Sequence, residues 1–445
     1  MRRKQKLILT LPALLALLAG CAFSQTFNRE YRNGAMLNGH GPGHIAPEAF
    51  TPGDTLSLNE LLKVAEANSA ELRSVYASWQ AAKNKVPQAS SLPDPRLTYG
   101  YFVEEVQTKT GPQEQKIGVS QTFPWFGKLS LKEQIAVQSA KAEFQEYQSE
   151  RLILGKEIKS AFHEYAYLRE AVELNRQHLE LLKGIEGVAS IRFKLGKLPQ
   201  NVLIQVQVEQ GKLEDRIKEL ENLRKPFSSK IYALLSISSD KLLPWPDKPA
   251  GTPDEIDIKD IARRLKLNNP NLNRLDLLIA KEDYNVKLAK KDYYPDLTVG
   301  VEHTDIDGGE NPTALMFSIN IPIWRDRINA SVQEASNRRL SVEEKKRDME
   351  HKLQAQFDLL AYYYSDARRK FSLYANSLIP KARQAIDVAV KGFETGQVGY
   401  SDLLDAERTL LEFQLTSARQ SANARIRAAE LSALVLNNEP NSKGE

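Results

Sequence analysis

One stretch of this sequence is written twice, about 200 residues apart. Pro95-Arg96-Leu97-Thr98-Tyr99-Gly100 returns as Pro295-Asp296-Leu297-Thr298-Val299-Gly300, and Phe123-Pro124 returns as Ile321-Pro322. Phe193, Gly196 and Leu203 return as Phe393, Gly396 and Leu403. Separate anchors at nearly one offset mark a tandem duplication, so whatever one copy folds into, the other must fold into as well. The copies are placed at 54–246 and 254–437, followed by a tail at 438–445.

Each copy reads as a helix, two strands, a very long helix and a further helix. In the first copy a helix begins near Leu56 and ends before Pro87, and the strands fall around 96–105 and 115–123. A long helix is expected from Leu129 to Leu195, partnered by one from Gln200 to Leu235. In the second copy the pattern predicts a helix from Ile258 to Lys291 and strands around 296–304 and 314–322. A long helix from Arg327 to Glu394 follows, kinked by Pro380, then one from Ser401 to Leu436. More than 60 helical residues make a rod of roughly 100 Å, which must pack lengthwise on other rods.

The strands alternate with period two. Leu97, Tyr99, Tyr101 and Val103 share a face, opposite Thr98, Gly100 and Glu104, with Phe102 out of pattern. The second strand sets Ile117, Val119 and Phe123 against Lys116, Gly118, Ser120 and Thr122. The third sets Leu297, Val299 and Val301 against Thr298, Gly300, Glu302 and Thr304. The fourth sets Leu315, Phe317, Ile319 and Ile321 against Ser318 and Asn320. Strands with one apolar and one wet face suit a membrane barrel, and they suit two soluble hairpins on a core equally. Polar loops at Thr108–Gln115 and Asp305–Pro312 favour the barrel. So do Trp125 and Trp324, each following a second strand where an interfacial aromatic belongs. Four strands cannot close a membrane barrel, so several chains must share one.

The N-terminus carries a secretory leader over 1–20: Arg2, Arg3, Lys4 and Lys6, then an apolar run from Leu7 to Leu18. Leu18-Ala19-Gly20-Cys21 resembles the bacterial lipoprotein signal, which makes Cys21 the expected lipidated first residue and 21–53 a linker. Ala22 rather than Asp fits delivery to the outer membrane. Cys21 is the sole cysteine, so no intramolecular disulfide can form. The chain holds 61 basic and 57 acidic residues. Four of the basic ones lie in the leader, so the remainder sits near neutrality and gives no reason to expect nucleic acid. After the leader no apolar run is long enough for a spanning helix.

With these features together, the chain resembles the outer membrane factor family, the TolC-like channels, over about Leu56 to Leu436. Two local signatures carry the likeness beside the duplicated plan. One is Ser120-Gln121-Thr122-Phe123-Pro124-Trp125-Phe126-Gly127-Lys128, similar to the strand-to-helix turn of the heavy-metal efflux branch. The other runs from Gly392 to Ala406 and is similar to the family's periplasmic tip. The resemblance implies a mainly α fold with a membrane β-barrel: a homotrimer with a shared twelve-stranded barrel and a long α-helical periplasmic tunnel. It implies the outer-membrane channel of a tripartite efflux pump, exporting metal cations or drugs. Its partners would be a periplasmic adaptor, an inner-membrane pump of the RND type and outer-membrane lipid. Adaptor-docking tips are expected at Gly196 and Leu198, and at Gly396, Val398, Gly399 and Ser401. The first tip departs from the family's Val-Gly with Leu198-Pro199. Asp387 matches a position where the family places an acidic ring at the closed aperture, with Arg383 and Lys391 as partners.

No enzyme is expected, nor a cofactor or resident metal. Phosphate-binding glycine loops, HExxH and Gly-x-Ser-x-Gly are missing, and His163-Glu164 has no second histidine at zinc spacing. His40 and His44 read as linker residues. A structural coiled-coil lipoprotein without a pore remains the alternative.

Overall fold

The computed structural model describes residues 50–247, 252–253 and 255–436. The leader, Cys21, His40, His44 and the tail at 438–445 lie outside the described residues. The helices are α1 (Leu58–Asn68), α2 (Ala70–Ser90), α3 (Lys128–Lys194), α4 (Gln200–Asn222) and α5 (Arg224–Leu234). They continue with α6 (Ile258–Leu265), α7 (Pro270–Lys291), α8 (Arg325–Leu373), α9 (Ile379–Thr395) and α10 (Tyr400–Ser432). The strands are β1 (Arg96–Thr108), β2 (Gly111–Phe123), β3 (Leu297–Ile306) and β4 (Thr313–Ile319). Two compact units result, one holding Tyr76–Glu146 and Asn273–Asp348, the other 50–75, Tyr147–Leu272 and 349–436.

Several expected helices are divided, and the reasons are local. The helix from Leu56 breaks at Ser69, whose hydroxyl accepts from the Leu72 N–H at 3.2 Å and so caps α2. The duplicate position does the same: Asn269 Oδ1 accepts from the Leu272 N–H at 3.0 Å, ahead of Pro270 at the first helical position. The expected stop before Pro87 is wrong, since α2 runs on to Ser90 with Pro87 inside it. Side chains brace that last turn: Gln88 Nε2 donates to the Asn84 carbonyl and Ser91 Oγ to that of Pro87. The helix from Gln200 splits at Leu223, because Pro226 lacks the N–H that the Asn222 carbonyl would receive. By contrast, α3 is continuous over 67 residues.

Pro380 produces a π-helical turn over Tyr374–Leu378. The Ile379 N–H reaches back five residues to the Tyr374 carbonyl, and the wider turn takes in one extra residue ahead of the proline ring. Buried positions in α8 run Leu353, Phe357, Leu360, Tyr364, Ala367, spaced by four and three. Continued without a break, that rhythm would pass through 381, 385, 388 and 392. The buried apolar side chains are instead Ala382, Ile386, Ala389 and Phe393, each one position later, with Gly392 buried beside Phe393.

The four strands form one antiparallel sheet in the order β1-β2-β3-β4. The first hairpin has no long loop, contrary to expectation; the ladder continues up to Thr108 opposite Gly111. Gly111 has φ +128°, and a Cβ there would lie 2.3 Å from the Asp307 carbonyl oxygen. Polar side chains at Gln113 and Gln115 do not end a strand so long as their backbones stay paired. The fourth strand stops at Ile319, short of Pro322.

Candidate functional site

Register fixes which side chains share a sheet face. Leu97, Val119, Val301 and Leu315 lie in one row across the four strands, and Val299 faces Phe317 in the next. Among the described residues no core covers this apolar face. Leu97, Tyr99, Tyr101, Leu315 and Ile319 are all exposed, and Phe317 is 72% exposed; Val103, also exposed, lies in the bulged stretch between Tyr101 and Val106. The reverse face carries Thr122 hydrogen-bonded to Thr298 at 2.9 Å and Lys116 paired with Glu302 at 3.6 Å. Gly100, Gly118 and Gly300 keep it low; a Cβ at Gly300 would lie 3.1 Å from that of Ser120. Among the described residues β1 and β4 each pair on one side only, so both edges of the sheet offer free backbone groups. The chain thus presents an unclosed sheet with one apolar and one polar face.

At the helix end of the sheet, where Phe123, Leu297 and Ile319 stand in register, aromatic side chains gather. Trp125 stacks on Tyr294 with ring centres 5.3 Å apart, and Phe126 and Trp324 are exposed beside the strand ends. Buried Lys128 holds Asp296 at 3.0 Å and Asp292 at 3.3 Å, while Asp296 also accepts from the Trp125 N–H.

In the other unit the two duplicated turns have one backbone pattern. The Gly196 N–H donates to the Phe193 carbonyl and that of Lys197 to Arg192; 200 residues on, Gly396 donates to Phe393 and Gln397 to Gly392. Both are Schellman caps, with Gly196 at φ +66° and Gly396 at φ +86°. Leu198 and Val398 both pack on the apolar cluster around Ile185, Ile386, Phe393 and Leu403. Gly399 and Ser401 stay exposed. Arg192 joins the turns: its guanidinium donates to the Phe393 carbonyl and covers the Phe393 ring at 5.1 Å. Tyr400 opens α10 with its hydroxyl buried and, among the described residues, unpaired. Burial, then the charge of Glu209, pushes its phenol up to about 12.

Asp387 lies exposed on α9, as do Arg383 and Lys391. Among the described residues neither base forms an ion pair with Asp387 inside the protomer, so the expected intrahelical partnership is not made. Exposed pairs of this spacing are worth only about 0.3–0.5 kcal/mol, too little to hold long side chains together.

Three features escaped the sequence reading. Arg192 is one, and Gly392 another, where a Cβ would sit 2.3 Å from Val398 Cγ2. The third is a buried polar cluster, in which His178 Nδ1 meets Glu407 Oε1 and Nε2 meets Gln414 Oε1, both at 2.7 Å. The signal for it was there. His178 takes a seam position among Asn175, Leu182 and Ile185, as Glu407 does between Leu403 and Leu410.

A family model described as outer membrane efflux protein matches residues 261–435. The chain is 21% identical over 361 residues to the cobalt-zinc-cadmium resistance protein CzcC of Cupriavidus metallidurans, covering 81% of this chain and 85% of that one. It is 19% identical over 396 residues to the pyoverdine export outer membrane protein OpmQ of Pseudomonas putida, covering 81% and 82%. Among solved structures, CusC superposes with a TM-score of 0.70 at 16% identity, over 89% of this chain and 98% of that one.

Proposed function

We propose that this chain, which matches an outer membrane efflux protein model over residues 261–435 and shares the fold of CusC, is the outer-membrane channel of a tripartite pump exporting metal ions or drugs. The observation that carries this reading is the unclosed sheet with its exposed apolar face. Three copies joined edge to edge supply twelve strands, enough to close a barrel whose outer face meets lipid and whose inner face meets water. The long helices then line a periplasmic tunnel, and the energy comes from an inner-membrane partner of the RND type. Cys21 carries the lipid anchor.

The two Schellman turns are the ends of the protomer that meet the periplasmic adaptor, through Gly196 and Leu198 on one and Gly396, Val398, Gly399 and Ser401 on the other. Asp387 repeated by threefold symmetry forms a carboxylate ring at the aperture, with Arg383 and Lys391 reaching to neighbouring protomers. Its exposure and its lack of an ion-pair partner among the described residues support that placement. The substrate assignment draws on CzcC, a cobalt-zinc-cadmium resistance protein by name, and OpmQ, a pyoverdine exporter.

Single-channel conductance of the purified protein in planar bilayers tests both levels. Stable pores are expected, and Asp387→Ala should weaken cation preference or raise conductance. Pores unaffected by the substitution remove Asp387 from the aperture. Well-folded protein that enters the bilayer without conducting returns the structural lipoprotein.

A further inference from the structure

We infer that the last turn of α7 and the segment after it form a binding site for the phosphate of an anionic phospholipid. The inference rests on the membrane reading above. Lys287, Lys290, Lys291, Tyr293, Tyr294 and Val332 line a cavity of about 540 Å³. Among the described residues none of the three lysines has an acidic partner, and the local acids are committed elsewhere: Asp292 and Asp296 both hold Lys128. Rings orient the cations. Lys287 lies over Tyr284 at 5.0 Å, Lys291 over Tyr294 at 5.5 Å, and Arg325 over Tyr293 at 5.3 Å. A helix C-terminus favours nearby lysine, which accounts for Lys290 and Lys291. It does not account for Lys287 a turn earlier, nor for a cavity walled by tyrosines.

Position in the chain argues for lipid. The cluster directly precedes β3, at the end of the sheet where the exposed apolar face stops at Leu297 and Ile319 and the aromatic side chains begin. Phe126, 84% exposed, and Trp324 stand at the same end. A phospholipid whose chains lie along Leu297, Phe317 and Ile319 brings its phosphate to this depth. Multiple ammonium groups with the Tyr294 hydroxyl match a phosphodiester's charge and acceptor oxygens, while the Tyr293 hydroxyl donates to Asn329 Oδ1.

The test uses the full chain reconstituted in phosphatidylcholine vesicles, with brominated phosphatidylglycerol or brominated phosphatidylcholine at equal mole fraction. Trp125, stacked on Tyr294, reports bound brominated lipid by quenching. The expected preference for phosphatidylglycerol is about fivefold or more, the factor one membrane-surface lysine supplies. It should fall to about one in K287Q/K290Q/K291Q and survive both in the triple arginine variant and in K212Q/K218Q/K230Q, which loses the same charge elsewhere. A parent preference near one, or a preference unchanged in the glutamine variant, overturns the site. Loss of preference on adding inorganic phosphate at constant ionic strength assigns the cavity to free phosphate and overturns the lipid. Failure to enter vesicles of either composition refutes the membrane reading itself, which insertion without preference does not.

Discussion

Replacing Gly392 by alanine places a methyl group where the second turn has no room. Its Cβ would lie 2.3 Å from Val398 Cγ2 and 3.0 Å from Val398 Cβ. Rotating the valine can move the first atom but not the second, so the backbone of the turn must give. That backbone is held by two bonds to one acceptor, from the Gln397 N–H at 2.8 Å and the Val398 N–H at 3.0 Å to the Gly392 carbonyl. Overpacking of this kind costs about 1–3 kcal/mol. As a local opening equilibrium that is a loss of roughly 5- to 150-fold in amide protection at Gln397 and Val398, with little change elsewhere. Hydrogen exchange read by mass spectrometry on peptides spanning 390–400 measures it. Adding Val398→Ala removes both Val398 γ-methyls, including the nearest atom, but keeps the Cβ at 3.0 Å, and should return part of the protection. Unchanged exchange in Gly392→Ala would refute the steric argument, and no rescue at all by the second substitution would show that the Val398 γ-methyls are not the obstacle.

Two further outcomes follow from buried polar groups in the same unit. His178→Ala leaves the Glu407 carboxylate buried without its ring partner, a loss on the order of 3–5 kcal/mol, seen as earlier thermal unfolding; replacing both residues by leucine should recover most of it. Tyr400 binds its proton more tightly in the folded chain, pushed up to about 12 against an ordinary value of about 10. Its contribution to stability is therefore complete below pH ~10 and lost as pH rises toward ~12. Tyr400→Phe should abolish that alkaline loss in thermal unfolding profiles and cost nothing at neutral pH, since the hydroxyl has no partner among the described residues.

What the sequence made legible was whatever depends on period and repetition. The 200-residue offset, the alternation in all four strands and the uninterrupted α3 follow from patterns within single elements. The breaks at Ser69 and Asn269 were not read, although Asn269-Pro270 is a helix-start signal in the sequence. Contacts between distant elements were not legible. Nothing local says that Arg192 reaches Phe393, 201 residues away, or that His178 finds Glu407 across 229. Pro87 misled because proline was taken as a stop, although a helix tolerates it where side chains brace the final turn. The hairpin at Thr108 misled because polarity was taken for a loop, when the pairing of backbone groups decides where a strand ends.

The π-helical turn before Pro380 has a meaning for descent as well as for shape. It occupies the space of one residue more than an α-helical turn needs, and the buried rhythm after it runs one position late. That is the mark of a single-residue insertion absorbed as a bulge, leaving both flanking helices packed on their old neighbours. An alignment of this chain with a relative that lacks the bulge should therefore open a one-residue gap between Tyr374 and Leu378. Without that gap, Asp387 and every other position up to Gly396 would be matched to the wrong residue.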